Sequence, residues 1–585
     1  MESNPKITVP CANWSDGGES CPSEGNFACN NCKLVVYCGR ACQRKHWSEH
    51  KKLCKCYLRD ELWAPTWDLE GRQPNWPRLQ ESTNARAPFG GYKHLWGTSP
   101  AMDVLSLPHN EGQNYNKDMS ILFAASGDLR NVVKTIQNLD GDLQLTVAIN
   151  DKDPDITARN AILLLLVLAT VDDGLEKIDI QELAEDMIHI WYSAMLTEGT
   201  LSRLQSKVKP IIREVCEGIS VENSCLHLAK SWRFRLNGSL CLVLKGKDWI
   251  HALSLLDIPE GLTPAAAQEL RRDVVLAPQR ADYRDRWHYI DASSSMRVAK
   301  EEFREDGLLL PFSYSRVGFD YPNPTIFSVT HDWPLDDQAD PLGGWPMGEV
   351  KETPSPASQD LYGRLFFYLR NVLCGFIRKT ATGKIHFELS SYDVKELRPS
   401  HNGKYDRIEA SGLSDSRWLG TQQTLEALCP LLKSPEVNPY ATLITTYLDA
   451  ITDAIITDDS DEAKKISVHM PVIFEYMENR IQPERFHKNP QGAELTRFWD
   501  CRVLLMNGTK FFHRYMSLHL FSSVAKHLGI VMKDNTIVDP WPTALKIPIG
   551  QPGFREEFDE VLASPFTGVE RYTGPADDDS GIATT

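Results

Sequence analysis

The clearest pattern of apolar and polar positions lies between residues 119 and 170, where short apolar runs alternate with amphipathic segments. The run SILFAA predicts a strand, SGD a turn, LRNVVKTIQNL a helix and LQLTVAI a second strand. The following segment, DKDPDITARNAILLLLVLA, opens with acidic residues and proline and continues as a buried helix. Its most apolar part, AILLLLVLAT, is too short to span a bilayer. This β-α-β-α order predicts a parallel sheet in an α/β domain.

Three later segments also have strand character: KIHFELSSYDV, YDRIEAS and ATLITTYL, with GTQQTLEALCPLL as a helix before the last. Together with the first two strands they predict a five-stranded parallel sheet. The first half of this domain is then residues 101–175 and the second half is residues 381–458. Between them, residues 176–380 form a large insertion whose apolar spacing is mainly helical.

The segments outside the sheet domain differ in composition. Residues 57–100 are rich in Trp and Pro with little periodicity, and they predict an ordered connector that lies on the next domain, because a free linker rarely carries four tryptophans. Residues 459–570 predict a helical C-terminal region, and residues 571–585 predict a disordered tail.

Charge narrows the classes of function. The chain has 585 residues and a net charge of −16, which argues against a general nucleic-acid or membrane-surface binder. Residues 1–60 differ, since nine Lys/Arg against six Asp/Glu give +3 and leave −19 for the remainder. The first ten residues lack an apolar core of signal-peptide length, so we expect a protein that is not secreted and lies in the cytoplasm or the nucleus.

Cysteine is concentrated at the N-terminus, where eight of the 14 cysteines fall within 56 residues. In a reducing compartment such a cluster indicates a metal site and not disulfides. Cys29-x₂-Cys32 can hold one ion from a tight turn, and Cys38 with Cys42 forms an i,i+4 pair that shares one face of a helix. Thiolates with one imidazole in groups of four suit tetrahedral Zn²⁺, whose binding would supply the folding free energy of so short a segment.

Residues 11–54 resemble the MYND-type zinc finger in CNNC at 29–32, YCGRACQRKHW at 37–47 and HKKLC at 50–54. The resemblance implies two interleaved zinc sites in a cross-brace. Their implied ligands are Cys11, Cys21, Cys38 and Cys42 for one ion, and Cys29, Cys32, His50 and Cys54 for the other. One departure is the spacing of the first pair, because Cys11 and Cys21 have nine residues between them where the family has two. Cys56 is an alternative to Cys54, although the i+4 geometry favours Cys54.

The same resemblance implies docking of a short, proline-rich peptide of a protein partner. Gln43 would form a polar contact with the peptide, and Trp47 would supply an aromatic surface suited to a polyproline II ligand. The alternative is that Trp47 packs the small core of the finger. Residues 40–55 also carry six basic residues against one acid, Glu49, which is typical of a solvated face, a rim for acidic peptides or a phosphate contact.

Polar residues near the ends of three predicted strands suggest a nucleotide-type ligand. Gly127 and Asp128 follow the first strand, Asp151 follows the second strand 24 residues after Gly127, and Asp393 lies near the end of the third. A glycine turn with an acidic residue about 20 positions later is the spacing of a ribose-binding site. The arrangement resembles an S-adenosylmethionine methyltransferase, which implies that cofactor, but the loop has one glycine where that family has several.

The sheet domain also resembles an uncharacterised domain shared by fungal MYND-finger proteins and the amino-terminal part of an axonemal dynein assembly factor, in ILFAASGDLRNVVKTI and LTVAINDKDPDITARNAILLL. This implies a filamentous fungus, to which dynein assembly does not carry over. Asp128 could instead cap its own helix, and Asp153 could stabilise the next one. The leading hypothesis is a zinc-binding interaction scaffold with a Rossmann-like body; the alternatives are a methyltransferase and a DNA-binding regulator.

Overall fold

The computed structural model describes most of the chain. The described residues are 7–14, 20–60, 63–75, 89–139, 143–234, 238–290, 292–382, 384–397, 403–447, 508–538, 547, 551–554 and 556–557. The tail predicted at residues 571–585 and residues 459–507 of the predicted helical region lie outside them.

The strands are short at the N-terminus and longer in the body. In chain order they are β1 Phe27–Ala28, β2 Val36–Tyr37, β3 Met119–Phe123, β4 Gln144–Asn150, β5 Met195–Leu196, β6 His227–Arg233, β7 Ser239–Lys245, β8 Tyr321–Pro322, β9 Lys384–Ser390, β10 Arg407–Glu409 and β11 Thr442–Ile444.

The α-helices lie mainly between and after the body strands. In chain order they are α1 Arg40–Lys45, α2 Trp47–Cys54, α3 Thr66–Leu69, α4 Arg130–Gln137, α5 Pro154–Val171, α6 Ile180–Tyr192, α7 Glu198–Arg203, α8 Lys209–Cys216, α9 Gly246–Ser254, α10 Pro264–Val275, α11 Ala281–Arg284, α12 Ser294–Asp306, α13 Met347–Glu352, α14 Leu361–Thr382, α15 Thr421–Leu428, α16 Gly508–Leu518 and α17 Phe521–Leu528.

One seven-stranded sheet organises the body in the order β11-β10-β3-β4-β9-β7-β6. Every neighbouring pair is parallel except β6 with β7, which is antiparallel. The five predicted strands are β3, β4, β9, β10 and β11, and they lie side by side and parallel, as expected. The body is therefore an α/β structure in which the chain extends the sheet in both directions from β3.

The two faces of the sheet are buried in different cores because side chains alternate along a strand. Ile121 and Phe123 of β3 belong to the large core that includes α4, α5, α6 and α14. Leu122, between them, belongs to a second core with Ile408 of β10 and Leu428 of α15. Helix α15 thus covers the opposite face from α4, α5, α6 and α14, and it packs against side chains of β3 and β10.

The segment predicted as a mainly helical insertion contains α6 to α14 and also contributes a β-hairpin to the sheet. β6 and β7 form this hairpin, and β7 pairs in parallel with β9. The signal was present in SLCLVLK, in which Leu240, Leu242 and Leu244 are buried and their neighbours are half-buried. Since buried residues of the insertion and of the sheet share one core, the insertion is packed into the body.

Helix α5 contains the most apolar run of the sequence. It is long and apolar enough to cross a membrane by length and composition, but 83% of it is buried inside the protein. Its N-terminus is capped by Asp153, whose side chain accepts the Asp155 N–H at 2.9 Å. This is the structural role that the sequence left open for Asp153, and α5 is a core helix of the sheet domain.

The N-terminal Cys-rich segment packs directly onto the body. Ser295 of α12 donates a hydrogen bond from Oγ to the carbonyl of Cys32 at 3.0 Å. The Val36 N–H donates to Ser313 Oγ at 2.9 Å, and both of these groups are buried. Buried side chains of residues 29–37 belong to the same large core as the sheet. The segment is thus docked against the rest of the chain.

The described part of the connector packs on the body. Arg297 of α12 donates to the carbonyls of Leu58 at 2.7 Å and of Asp60 at 2.9 Å, and its guanidinium lies 4.8 Å from the centre of the Trp63 ring. Trp67 is fully buried. Trp76, another of the four tryptophans of the connector, falls outside the described residues.

Candidate functional site

Two groups of four Cys/His side chains lie in the N-terminal segment. Within each group the ligand atoms all lie within 4.8 Å of one another; the groups are Cys11, Cys21, Cys38, Cys42 and Cys29, Cys32, His50, Cys54. Their composition is the one expected from the sequence, Cys11 included. Cys56 belongs to neither group.

The first group depends on hairpin-like backbone pairing around Cys11 and Cys21, which the long spacing between these two cysteines did not indicate. Cys11 donates its N–H to the carbonyl of Ser23 at 3.0 Å, and Cys21 donates its N–H to the carbonyl of Asn13 at 3.0 Å. These bonds place two cysteines opposite each other although nine residues separate them in the chain. The Sγ atoms of Cys21 and Cys38 are 3.7 Å apart. Four thiolates around zinc, each at about 2.3 Å, would lie about 3.8 Å apart, so the sulfur atoms present suit that ion.

The second group is more deeply buried and combines a tight turn with a helix. Sγ of Cys29 lies 3.9 Å from Sγ of Cys54, and Sγ of Cys32 lies 3.6 Å from Nε2 of His50. His50 and Cys54 are one helical turn apart in α2, so both face inward. The Cys32 side chain lowers the pKa of Cys29 to about 3 by hydrogen bonding, which favours a thiolate there. Both groups are therefore Cys/His sites for zinc, with soft ligands in the expected number.

Trp47 is the exposed tryptophan of helices α1 and α2. Its side chain is 38% exposed, and its ring lies edge-on against His50 with 5.7 Å between ring centres. Gln43, one turn earlier, is half-buried. Trp47 therefore packs against a zinc-site residue and also presents part of its surface to solvent.

Three of the four candidate cofactor residues are brought together at the carboxyl edge of the sheet, but their polar groups are engaged with one another, with backbone or with a buried arginine. Gly127 has φ +53°, and its N–H donates to Asp151 Oδ2 at 3.0 Å. Asp151 Oδ1 accepts the Asp153 N–H at 2.9 Å, and burial raises the pKa of Asp151. Asp128 accepts the Gly97 N–H at 2.8 Å.

Asp393, the fourth candidate, forms no hydrogen bond with the other three in the part of the chain that the structure describes. It is exposed and accepts the Lys395 N–H at 3.0 Å, which caps a short 3-10 turn. Asn150 ties the same edge together, because its side-chain amide donates to the carbonyls of Ala124 and Tyr392 at 3.0 Å each. Local capping and strand-end bonds thus use the groups that a ribose would need.

Sequence reasoning did not show that the end of the connector, residues 89–97 and defined here as the strap, crosses this edge. Lys93 Nζ lies 2.8 Å from Asp153 Oδ2, and the ring of His94 lies 6.1 Å from that of Trp418, in the loop after β10. The Trp96 side chain is buried. The Gly90-Gly91 pair is the signal that was available, since a Cβ at Gly91 would lie 2.0 Å from the Pro334 carbonyl oxygen.

Comparison with known families gives two matches. Residues 18–54 match the MYND finger, a zinc finger known for protein–protein interaction. Residues 95–196 match a domain of unknown function, DUF4470, which begins within the strap and ends at β5. The MYND match begins after Cys11, so the assignment of that ligand rests on the hairpin geometry. No solved structure matches the chain.

Proposed function

We propose that this chain is an interaction scaffold that binds two zinc ions through its MYND finger and docks a short, proline-rich segment of a partner protein on Gln43 and Trp47. The observation that carries the proposal is the 38% exposure of Trp47 on a finger whose described hydrogen bonds to the body come from residues 32–36 and 58–60. A rigid aromatic beside a polar side chain suits a polyproline II ligand.

The proposal for the body is a Rossmann-like domain without a bound cofactor. Supporting it, the parallel strands run outward from β3, through β4 to β9 on one side and through β10 to β11 on the other. The proposed units are those expected from the sequence: the finger at 11–54, the connector at 57–100 and a body interrupted at 176–380. We also propose that the protein lies in the cytoplasm or the nucleus of a filamentous fungus. Its body would resemble the uncharacterised domain shared with the dynein assembly factor.

Methyltransferase activity is not the function we propose. The N–H of Gly127 and both oxygens of Asp151 are engaged with each other and with backbone, and the strap lies over the same edge. We expect no shift in melting temperature when S-adenosylmethionine is added to the full chain. A saturable shift that Asp151→Asn abolishes would restore the enzyme hypothesis.

Metal analysis tests the finger. The purified full chain should contain two zinc ions, one for each group. Cys54→Ser should lose the ion of the second group, and Cys56→Ser should keep both, because Cys56 lies in neither group. A zinc content near one in the unmodified chain would contradict the cross-brace assignment.

Peptide selection tests the docking surface. A phage library of random peptides of about twelve residues is panned against the zinc-loaded full chain, a length sufficient for a short polyproline II segment. Proline-containing sequences should be enriched, and Trp47→Ala should abolish their binding. Trp418→Ala is the matched control, since Trp418 is also an exposed tryptophan, at 51%. Selected peptides that bind both variants equally would contradict the proposal.

A further inference from the structure

A stripe of basic side chains flanks Trp47 on the outer side of the finger. We define the basic stripe as Arg40, Arg44, Lys51 and Lys55, all of which are exposed. Lys51 and Lys55 follow Trp47 at one and two helical turns, so they line up with it along α2. Lys55 Nζ lies 5.9 Å from the centre of the Trp47 ring. Trp47 and the two lysines of this stripe therefore form one continuous surface.

The charges of the stripe are not neutralised within the part of the chain that the structure describes. No described carboxylate forms an ion pair with any of its four members. Glu49, the one acid of α1 and α2, is engaged by Lys52, whose Nζ lies 2.5 Å from Glu49 Oε2. The body carries the opposite charge overall, since residues after 60 sum to −19, yet no described body carboxylate pairs with the stripe.

The way the finger is docked gives the stripe its orientation. The described hydrogen bonds to the body come from the loop after Cys29 and from the residues after α2, as with Cys32 and Leu58. The inner side of the helices carries His50 and Cys54, which are buried. The stripe and Trp47 are therefore left for an external ligand.

We propose that the partner segment of the finger is acidic: Asp or Glu side chains flank the residues that contact Trp47 and pair with the basic stripe. This rests on the proposed function and specifies the chemistry of its partner. From Trp47 to Lys55 helix α2 and its C-cap rise roughly 12 Å at 1.5 Å per residue, which an extended polyproline II segment spans in about four residues. Carboxylates on such a segment reach Lys51 and Lys55 while the neighbouring residues cover the indole.

An acidic protein segment suits the surface better than nucleic acid does. Four charges beside one aromatic ring form a small site, whereas a nucleic-acid backbone brings a dense run of phosphates close to a body with a net charge of −19. A short peptide brings its carboxylates only to the stripe. Charge complementarity of this kind mainly sets specificity and association rate, and it is screened by salt.

The experiment uses the peptide library on the zinc-loaded full chain and sequences the selected pool. The strongest binder is then synthesised with a fluorophore, and its affinity is measured by anisotropy at low and high salt. Arg44→Glu/Lys51→Glu should weaken binding about tenfold at low salt, whereas Lys247→Glu/Lys526→Glu, with the same change of charge on exposed body helices, should leave it unchanged. Zinc content and circular dichroism of both double variants verify folding.

The outcomes separate this inference from the function on which it rests. Enrichment of Asp and Glu in the pool, with loss of affinity in the stripe variant alone, supports an acidic partner. Peptides that require Trp47 but show no acidic enrichment overturn the inference and leave the docking function intact. A pool independent of Trp47 overturns both. Tighter binding of a duplex DNA of about 20 base pairs, lost in the stripe variant, would assign the stripe to nucleic acid and also overturn the inference.

Discussion

Arg297 is the side chain through which we expect the body to stabilise the finger. It is 5% exposed and donates to the carbonyls of Leu58 and Asp60, which follow the last zinc ligand of α2. Its guanidinium also lies 4.8 Å from the centre of the Trp63 ring. Arg297→Met keeps the aliphatic part of the side chain and removes these polar interactions.

The magnitude follows from the number of bonds lost. A hydrogen bond from a charged donor contributes about 1.5–3 kcal/mol, and the cation–π contact adds about 1 kcal/mol. Because the Asp60 carbonyl belongs to an exposed residue and can rehydrate, we expect a net loss of about 3 kcal/mol for docking of the finger. This corresponds to a population of undocked finger that is on the order of a hundredfold higher.

The assay measures how fast zinc leaves the protein. Zinc-loaded wild type and Arg297→Met are mixed with a chromogenic chelator, and release from the second group should be faster in the variant. Arg159→Met is the matched control, since Arg159 donates to the carbonyls of Thr325 and Trp191 within the body. It should lower the stability of the body without changing zinc release. Equal release rates in Arg297→Met and wild type would refute the reasoning.

Two further predictions concern buried groups of the body. Burial lowers the pKa of His189 to about 4, so its contribution to stability is complete above about pH 6.5 and is lost as the pH falls towards 4, because the unfolded chain is protonated first. In urea denaturation, the stability difference between wild type and His189→Gln should shrink by about 3 kcal/mol over that range, and a constant difference would contradict the assignment. Gly363→Ala should lower the free energy of unfolding by about 2 kcal/mol, since a Cβ there would lie 2.2 Å from Asp360 Oδ2, which is buried and accepts backbone N–H groups. Gly375→Ala, on the same helix, meets only the flexible side chain of Gln137 and should change stability by less than about 1 kcal/mol; equal losses in both variants would refute the steric argument.

Local patterns in the sequence were sufficient for five strands of the sheet and for pairs of candidate zinc ligands. The five predicted strands are those that lie parallel in the sheet, because a buried parallel strand requires a continuous apolar run that is visible in the sequence. Pairs of ligands within the two Cys/His groups could be predicted for a similar reason, whereas the division into two groups was implied by the resemblance to the MYND finger. Cys29 with Cys32, and His50 with Cys54, are close in the chain, so their spacing already fixes their relative positions.

The candidate cofactor residues show where sequence spacing fails. The separation of Gly127 and Asp151 is the one that a nucleotide site requires, and the fold does bring the two together. Their hydrogen-bonding groups, however, bind each other and neighbouring backbone. A spacing specifies which residues meet, but it does not specify whether the polar atoms that meet are left for a ligand.

By itself the sequence determined the α/β class, the buried helix α5 and the pairs of Cys/His side chains that lie three or four residues apart, since each depends on residues close together in the chain. Tertiary structure decided three other features: the docking of the finger on α12, the strap over the sheet edge and the hairpin that extends the sheet. Each brings together segments far apart in sequence, as Cys32 and Ser295 are. Such contacts depend on the shapes that two folded surfaces present to each other, and no periodicity or spacing within either segment encodes them.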